Sequence, residues 1–229
     1  MELYKIVLSF VLAVLCLVLG LAIYLRKRQE LLNRIFCGAF LSYTIFFTFD
    51  ALIGLFYANL DLTNLWRDIS SLAATTGHCF VFGSAIFIWK GKEMLFKRWF
   101  LIPFICITGI IGIVGQFHDE VKVDLGQQSY TLQHDWIGLA FAYLYGAALI
   151  LVCIVIYFKI YAQSQNPEIK TRLMRLTTGL LIVIAGQVLQ AVLMAALSET
   201  VYYRLIVPEA IVYTCWAIGI LLAARALWK

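Results

Sequence analysis

Charged residues are scarce in this chain. They make up 14% of its 229 residues, while 63% are hydrophobic. A soluble domain has about 25% charged and about 45–50% apolar residues, and water could not solvate a surface of the present composition. The sequence therefore excludes a soluble globular domain and predicts an all-α integral membrane protein. Seven spans of about 20 residues with short connections would use the whole length, so we expect a single seven-helix domain over residues 1–229.

The groups that carry most membrane-embedded chemistry are also rare. The chain has three histidines, and only His78 falls at membrane depth, which excludes a haem held by two histidines and disfavours an intramembrane zinc site. Residues 206–227 contain no lysine, which excludes a retinal pigment with a Schiff base in its last helix. No phosphate-binding Gly-rich loop and no Ser-His-Asp set is recognisable. We therefore expect no cofactor and no enzymatic activity.

No cysteine falls in a predicted connection. This placement disfavours a disulfide framework for an outer surface, and no spacing of Cys and His is typical of a metal site. We expect the six cysteines to pack between helices as small apolar residues; they are Cys16, Cys37, Cys79, Cys106, Cys153 and Cys215.

Hydropathy predicts seven transmembrane helices, at residues 5–25, 35–58, 68–89, 99–117, 136–158, 176–197 and 206–227. The first run is interpreted as a span rather than a signal peptide, since its flank is weakly charged and no small-residue cleavage site follows. Five of the six tryptophans fall at span ends, where amphipathic rings favour the interface; only Trp216 is mid-span.

Basic residues are concentrated on one side of the predicted spans. The first, third and fifth connections and the tail hold 14 of the 18: Arg26, Lys27, Arg28, Arg34, Lys90, Lys92, Lys97, Arg98, Lys159, Lys170, Arg172, Arg175, Arg225 and Lys229. Positive flanks stay in the cytoplasm, which predicts an outer N-terminus and an inner C-terminus in the cell (plasma) membrane. Anionic membrane lipids account for the net charge of +5, so no nucleic acid is expected as a partner.

Two connections carry local structure signals. In "QSQNPEIKTRLMR", Asn166 is a favoured N-cap and Pro167 suits the first helical position, so the sixth helix is predicted to begin about two turns before the hydrocarbon. This extension is either a transmitting element or an interfacial anchor. In "EVKVDLGQQSYTL", alternating apolar residues and Gly126 predict a short extracellular β-hairpin between the fourth and fifth helices. Whether such a hairpin acts as a lid or a plug stays open.

Polar side chains at membrane depth are concentrated towards the outer side. Ionisable residues there are costly and are functional candidates by default. The candidate ligand-binding residues are Asp50, His78, Gln116, Gln187, Gln190 and Glu209. They predict an outward-facing pocket, and the alternative is a set of interhelical hydrogen bonds that only stabilise the bundle. Glycines such as Gly77, Gly109 and Gly112 are expected to permit close helix packing, within the bundle or in a homo-oligomer.

Three stretches resemble a known group of membrane sensors. They are "WIGLAFAYLYGAALILV" after the hairpin, "PEIKTRLMRLTTGLLIVIAG" with its basic start, and "LIVPEAIVYTCWAIGILLAARAL" with its Pro-Glu entry. Together the layout resembles the seven-helix N-terminal sensor region of some prokaryotic histidine kinases and diguanylate cyclases. Members of that group usually continue into a catalytic transmitter domain, whereas this chain stops at Lys229, and its third span, "SLAATTGHCFVFGSAIF", lacks an expected proline. The resemblance implies a sensor fold whose output is carried by a separate polypeptide.

These observations favour a non-enzymatic receptor- or sensor-like protein that binds a small or lipophilic ligand. A separate cytoplasmic effector would contact the basic inner face, for which the candidate residues are Lys170, Arg172, Arg175 and Arg225. The alternatives are a transporter or channel subunit, for which repeats and broken helices would be expected, and a structural membrane assembly protein.

Overall fold

The computed structural model describes residues 2–26, 28–56, 59–117, 119–124, 129–134, 144–196 and 206–228. Within these ranges, only the backbone is described for residues 2, 115–134, 190, 191, 194–196 and 206–209. The helices are α1 Glu2–Arg26, α2 Leu31–Phe56, α3 Leu60–Lys90, α4 Lys92–Leu95, α5 Arg98–Phe117, α6 Tyr145–Gln163, α7 Pro167–Ala196 and α8 Ile206–Leu227. The strands are β1 Asp119–Asp124 and β2 Ser129–His134.

The protein is a multi-pass membrane protein. Among the described residues, six helices are long and apolar enough to cross a bilayer: Leu3–Arg26, Leu31–Phe56, Leu60–Lys90, Tyr145–Gln163, Pro167–Leu189 and Ala210–Leu227. A further apolar segment, Arg98–Val114, is shorter. Only an element that satisfies its own backbone hydrogen bonds can cross hydrocarbon, and these long helices meet that requirement.

The six long helices pack in a closed order. Each of α1, α2, α3, α6 and α7 packs against the next, and α8 returns to α1. α5 lies outside this circle, mainly against α3 and the short α4. Its exposed apolar side chains include Ile102, Ile105, Ile107, Ile110 and Ile113. The interior of the bundle is therefore formed by six helices, with α5 added at the periphery.

α3 begins earlier than hydropathy predicts, at Leu60 rather than residue 68. Asn59 caps it, because its side-chain oxygen accepts a hydrogen bond from the Leu62 backbone N–H at 3.2 Å. The helix thus includes Arg67, which the sequence assigned to a connection and which is only 9% exposed. Hydropathy reports an apolar run, whereas the hydrogen-bonded helix also includes its polar first turns.

The predicted start of the sixth long helix, α7, is confirmed. Its first residue is Pro167, and the Asn166 side-chain oxygen accepts hydrogen bonds from the backbone N–H groups of Glu168 at 2.8 Å and Ile169 at 3.4 Å. One turn on, Arg172 forms an ion pair with Glu168 at 2.6 Å. The helix therefore extends beyond its apolar part by about two turns.

β1 and β2 pair antiparallel, from Asp119 opposite His134 to Asp124 opposite Ser129. β1 packs against α3. Residues 125–128, where the sequence predicts the turn, lie outside the described residues.

Small residues bring α7 and α8 together. A Cβ added to Gly219 would lie 2.8 Å from the Gly179 carbonyl oxygen, and one added to Gly186 would lie 2.7 Å from the Cys215 Cβ. The close packing predicted at Gly77 is also present, since its Cβ would meet the Tyr43 ring at 2.8 Å. Gly109 differs, because a Cβ there would meet no described atom within 4 Å. Its predicted packing within the bundle is therefore not observed.

The cysteines behave largely as small packing residues. All six are free thiols, and Cys16, Cys37 and Cys153 are buried. Cys106 on α5 is the exception, since it is exposed on this peripheral helix. The expectation that all six pack between helices is therefore wrong at Cys106, because α5 has few neighbours.

Candidate functional site

A polar cavity of about 170 Å³ lies inside the circle of six helices. Three predicted ligand-binding residues line it, each from a different helix: Asp50 from α2, His78 from α3 and Gln187 from α7. The other lining residues are Lys5, Phe46, Phe47, Arg67, Ser70, Ser71, Ala74, Thr75, Gly146, Ala147, Val212, Tyr213 and Trp216. Residues distant in sequence thus converge on one space between the helices.

Asp50 is held by hydroxyl groups from two other helices. Ser9 of α1 and Tyr213 of α8 each donate a hydrogen bond to the same carboxylate oxygen, Oδ2, at 2.6 Å. The two hydroxyl oxygens are themselves 3.0 Å apart. Both distances lie within the range of O–H···O hydrogen bonds. The arrangement fixes one end of the cavity by joining α1, α2 and α8.

His78 presents a nitrogen with no protein partner. Its side chain is 7% exposed, and among the described residues its Nε2 has no hydrogen-bond partner. The other side of the ring faces Gly146, where an added Cβ would lie 3.2 Å from Nδ1. Buried polar atoms are nearly always hydrogen-bonded, so within the described part of the protein Nε2 is left to pair with a water molecule or a ligand.

Trp216 forms an aromatic wall at the other end of the cavity. Its ring centroid lies 5.3 Å from that of Tyr43 and 5.7 Å from that of Phe47, both in edge-on geometry, and 6.4 Å from that of His78. Edge-on contacts at these distances are favourable for aromatic pairs. Trp216 also lines a second, apolar cavity of about 50 Å³, between α2, α3, α6, α7 and α8. It therefore separates a polar space from an apolar one.

No family model matches this chain, and no curated protein matches it either. The chemistry of the cavity therefore has to be derived from its own residues.

The cavity favours a small guest. Pockets for drug-sized ligands have volumes of about 300–1,000 Å³, whereas an apolar cavity of about 150 Å³ holds benzene. A volume of about 170 Å³ suits a molecule of roughly that size or a few waters. Within the described part of the chain, no three His, Cys, Asp or Glu residues converge as metal ligands do.

Sequence reasoning missed several lining residues. Lys5 and Arg67 bring positive charge to the wall, and each has a further contact of its own. Tyr213 also lines the cavity, and Ser9 bonds Asp50; neither was selected because hydroxyl side chains occur throughout membrane helices. A signal was present, since Arg67, Ser71 and His78 lie on one face of α3 at spacings of four and seven residues. Lys5 and Ser9, four residues apart on α1, give the same signal.

The cavity lining contains none of the four candidate partner-binding residues, and the structure does not test the three remaining ligand-binding candidates. The side chains of Gln116, Gln190 and Glu209 lie outside the described part of the protein. The four candidate partner-binding residues are on α7 and α8, far along those helices from Gln187 and Tyr213. They include Arg225, which is exposed, and Arg172, whose guanidinium pairs with Glu168.

Proposed function

We propose that this protein is a non-enzymatic receptor or sensor of the plasma membrane, which binds a small molecule in the polar cavity. The observation that carries the proposal is His78, which lines the cavity and whose buried Nε2 has no hydrogen-bond partner among the described residues. Asp50 and Gln187 also line the cavity and offer a carboxyl and an amide group, so a guest with hydrogen-bonding groups would be oriented as well as held.

In the proposed arrangement, the chain crosses the membrane seven times, with α5 as the fourth span. Its 20 residues correspond to about 30 Å of helix, the thickness of the hydrocarbon core. The distribution of basic residues supports an outer N-terminus. The cavity then lies in the outer half of the bundle, since Lys5, Asp50 and Arg67 are near the outer ends of α1, α2 and α3. The strand pair would be extracellular.

Signal transfer in this proposal runs through α7 and α8. Gln187 and Tyr213 line the cavity, and the same two helices pack closely at Gly179 and Gly219. Their inner ends carry basic residues, which would contact a separate cytoplasmic effector: Lys170, Arg172, Arg175 and Arg225. A ligand that binds two positions of this helix pair with different affinity would change the surface offered to that effector.

A ligand screen tests the cavity. The purified protein in lipid nanodiscs is screened against small polar and aromatic compounds by thermal shift, and hits are measured again with Asp50→Asn and Gln187→Leu. Loss of one buried hydrogen bond is expected to weaken binding roughly tenfold. Thr214→Val is the control, because Thr214 is exposed on α8 and bonds only the Ala210 carbonyl. Unchanged affinity in both cavity variants would remove the cavity as the binding site.

A transporter is the second candidate, and the position of Trp216 favours it. This side chain lines both cavities, so its movement would connect the polar space with the apolar one. Flux of a screened ligand across proteoliposomes would support transport, and Trp216→Ala should then change the rate. Binding without flux would favour the receptor.

A further inference from the structure

Two lysines from different helices share one tryptophan ring. Trp89 and Lys90 end α3, and Lys159 lies four residues before the last residue of α6, Gln163. The Lys90 Nζ is 4.4 Å and the Lys159 Nζ 5.1 Å from the centroid of the Trp89 ring. Both lysines are exposed, and the ring is partly buried. Each contact is an ordinary cation–π interaction, but together they place two positive charges at one point of the surface.

Neither charge is neutralised by a described residue. Within the described ranges, Lys90 and Lys159 form no ion pair. Their ammonium groups are at most about 9.5 Å apart, because both distances are measured to one centroid. A third cation, Lys170, lies 5.4 Å from the neighbouring Tyr161 ring. Each ammonium has three donors, so an anion between them would gain hydrogen bonds and relieve the repulsion.

The surroundings indicate what carries that anion. Lys159 lies at the end of an exposed apolar stripe on α6. In this stripe Val155, one turn before Lys159, is 66% exposed, and Val152, two turns before it, is 45% exposed. Such apolar exposure on a membrane helix faces acyl chains. Trp89 marks the interface, where indole rings concentrate. We propose that the phosphate of an anionic lipid binds between Lys90 and Lys159 at Trp89, with its acyl chains along this α6 stripe.

The test compares lipid binding of matched variants. The full-length protein in detergent is titrated with phosphatidylglycerol or phosphatidylcholine, and bound lipid is counted by native mass spectrometry. A lysine near an anionic surface contributes about fivefold in affinity, so Lys90→Gln with Lys159→Gln should weaken phosphatidylglycerol binding about 25-fold and leave phosphatidylcholine unchanged. The control, Lys97→Gln with Arg225→Gln, removes the same charge from exposed residues with no described aromatic contact.

Each result decides the proposal. A selective loss in the first variant pair supports it, and Lys159→Gln alone should give an intermediate affinity. Equal losses in both pairs would overturn it, because they would indicate a general basic surface. Displacement of phosphatidylglycerol by millimolar inorganic phosphate at constant ionic strength would assign the lysines to a soluble anion and would overturn the lipid assignment. Thermal melts of all variants in detergent confirm that the exposed substitutions leave the fold intact.

Discussion

Gly219→Ala is expected to destabilise the bundle by separating α7 from α8. The new Cβ would lie 2.5 Å from the Val183 Cγ2 and 2.8 Å from the Gly179 carbonyl oxygen. Carbon atoms in contact are normally about 3.5–4.0 Å apart. The valine methyl can turn aside only by leaving its rotamer, and the carbonyl oxygen belongs to the backbone of α7. One helix must therefore move away from the other.

The size of the effect follows from two opposing contributions. Overpacking of a close-packed interior costs about 1–3 kcal/mol, while replacing glycine by alanine inside a helix gains up to about 1 kcal/mol in propensity. Because one of the two clashes is with backbone, the cost should lie at about 2–3 kcal/mol, and with a gain of about 1 kcal/mol the net loss is about 1–2 kcal/mol. For a chain of this size, 1 kcal/mol corresponds to about 2–4 °C in Tm, so the variant should melt roughly 2–8 °C lower in a mild detergent.

The matched control is Gly109→Ala on α5. It makes the same chemical change in a helix, but its Cβ would meet no described atom within 4 Å, so the Tm should stay the same or rise slightly. Adding Val183→Ala to Gly219→Ala removes one of the two clashes and should recover only part of the loss. Equal melting of Gly219→Ala and the wild type would refute the close backbone contact, and so would a larger loss in Gly109→Ala.

Three further changes test other contacts. Tyr213→Phe removes one of the two hydroxyl donors to Asp50 and should lower stability by about 1–2 kcal/mol in a thermal melt; an unchanged Tm would contradict the hydrogen bond. Gly146→Ala places a methyl group 3.2 Å from the His78 Nδ1 and should weaken binding of a screened ligand several-fold, whereas unaltered affinity would place the ligand away from His78. Asn166→Ala removes the α7 cap and should cost about 1 kcal/mol; Gln165→Ala, which removes no described bond, is its control.

Some of this structure could be predicted because its causes are local. The start of α7 depends on Asn166 and Pro167, whose effects act within one turn of helix. Six of the seven apolar runs correspond to helices that can cross the membrane by length and composition. The N-terminal part of α3 was missed because residues 60–67 are too polar for a hydropathy window, although Asn59 is a favoured cap.

The cavity could be predicted only in part. Asp50, His78 and Gln187 were selected because polar groups are costly at membrane depth, and all three line one space. The hydrogen-bond partners of Asp50 could not be predicted, because Ser9 and Tyr213 are 41 and 163 residues away from it in sequence. Hydroxyl groups occur throughout membrane helices, so composition does not distinguish a donor to a carboxylate from a side chain bonded to its own helix, as Thr214 is.

Small residues hold α7 and α8 together from their basic ends to the level of the cavity. Beyond Trp216, towards the basic ends, these helices meet backbone to backbone at Gly179 and Gly219, and an interior packed this closely does not deform continuously. The close packing continues to the level of the cavity, because a Cβ added to Gly186 would lie 2.7 Å from the Cys215 Cβ, and the adjacent Gln187 borders the cavity. A guest that contacts Gln187 or Tyr213 can therefore displace α7 and α8 only as a pair. The circle of helices can change more readily where α6 meets α7 or α8 meets α1, since neither contact has a described backbone approach of this kind.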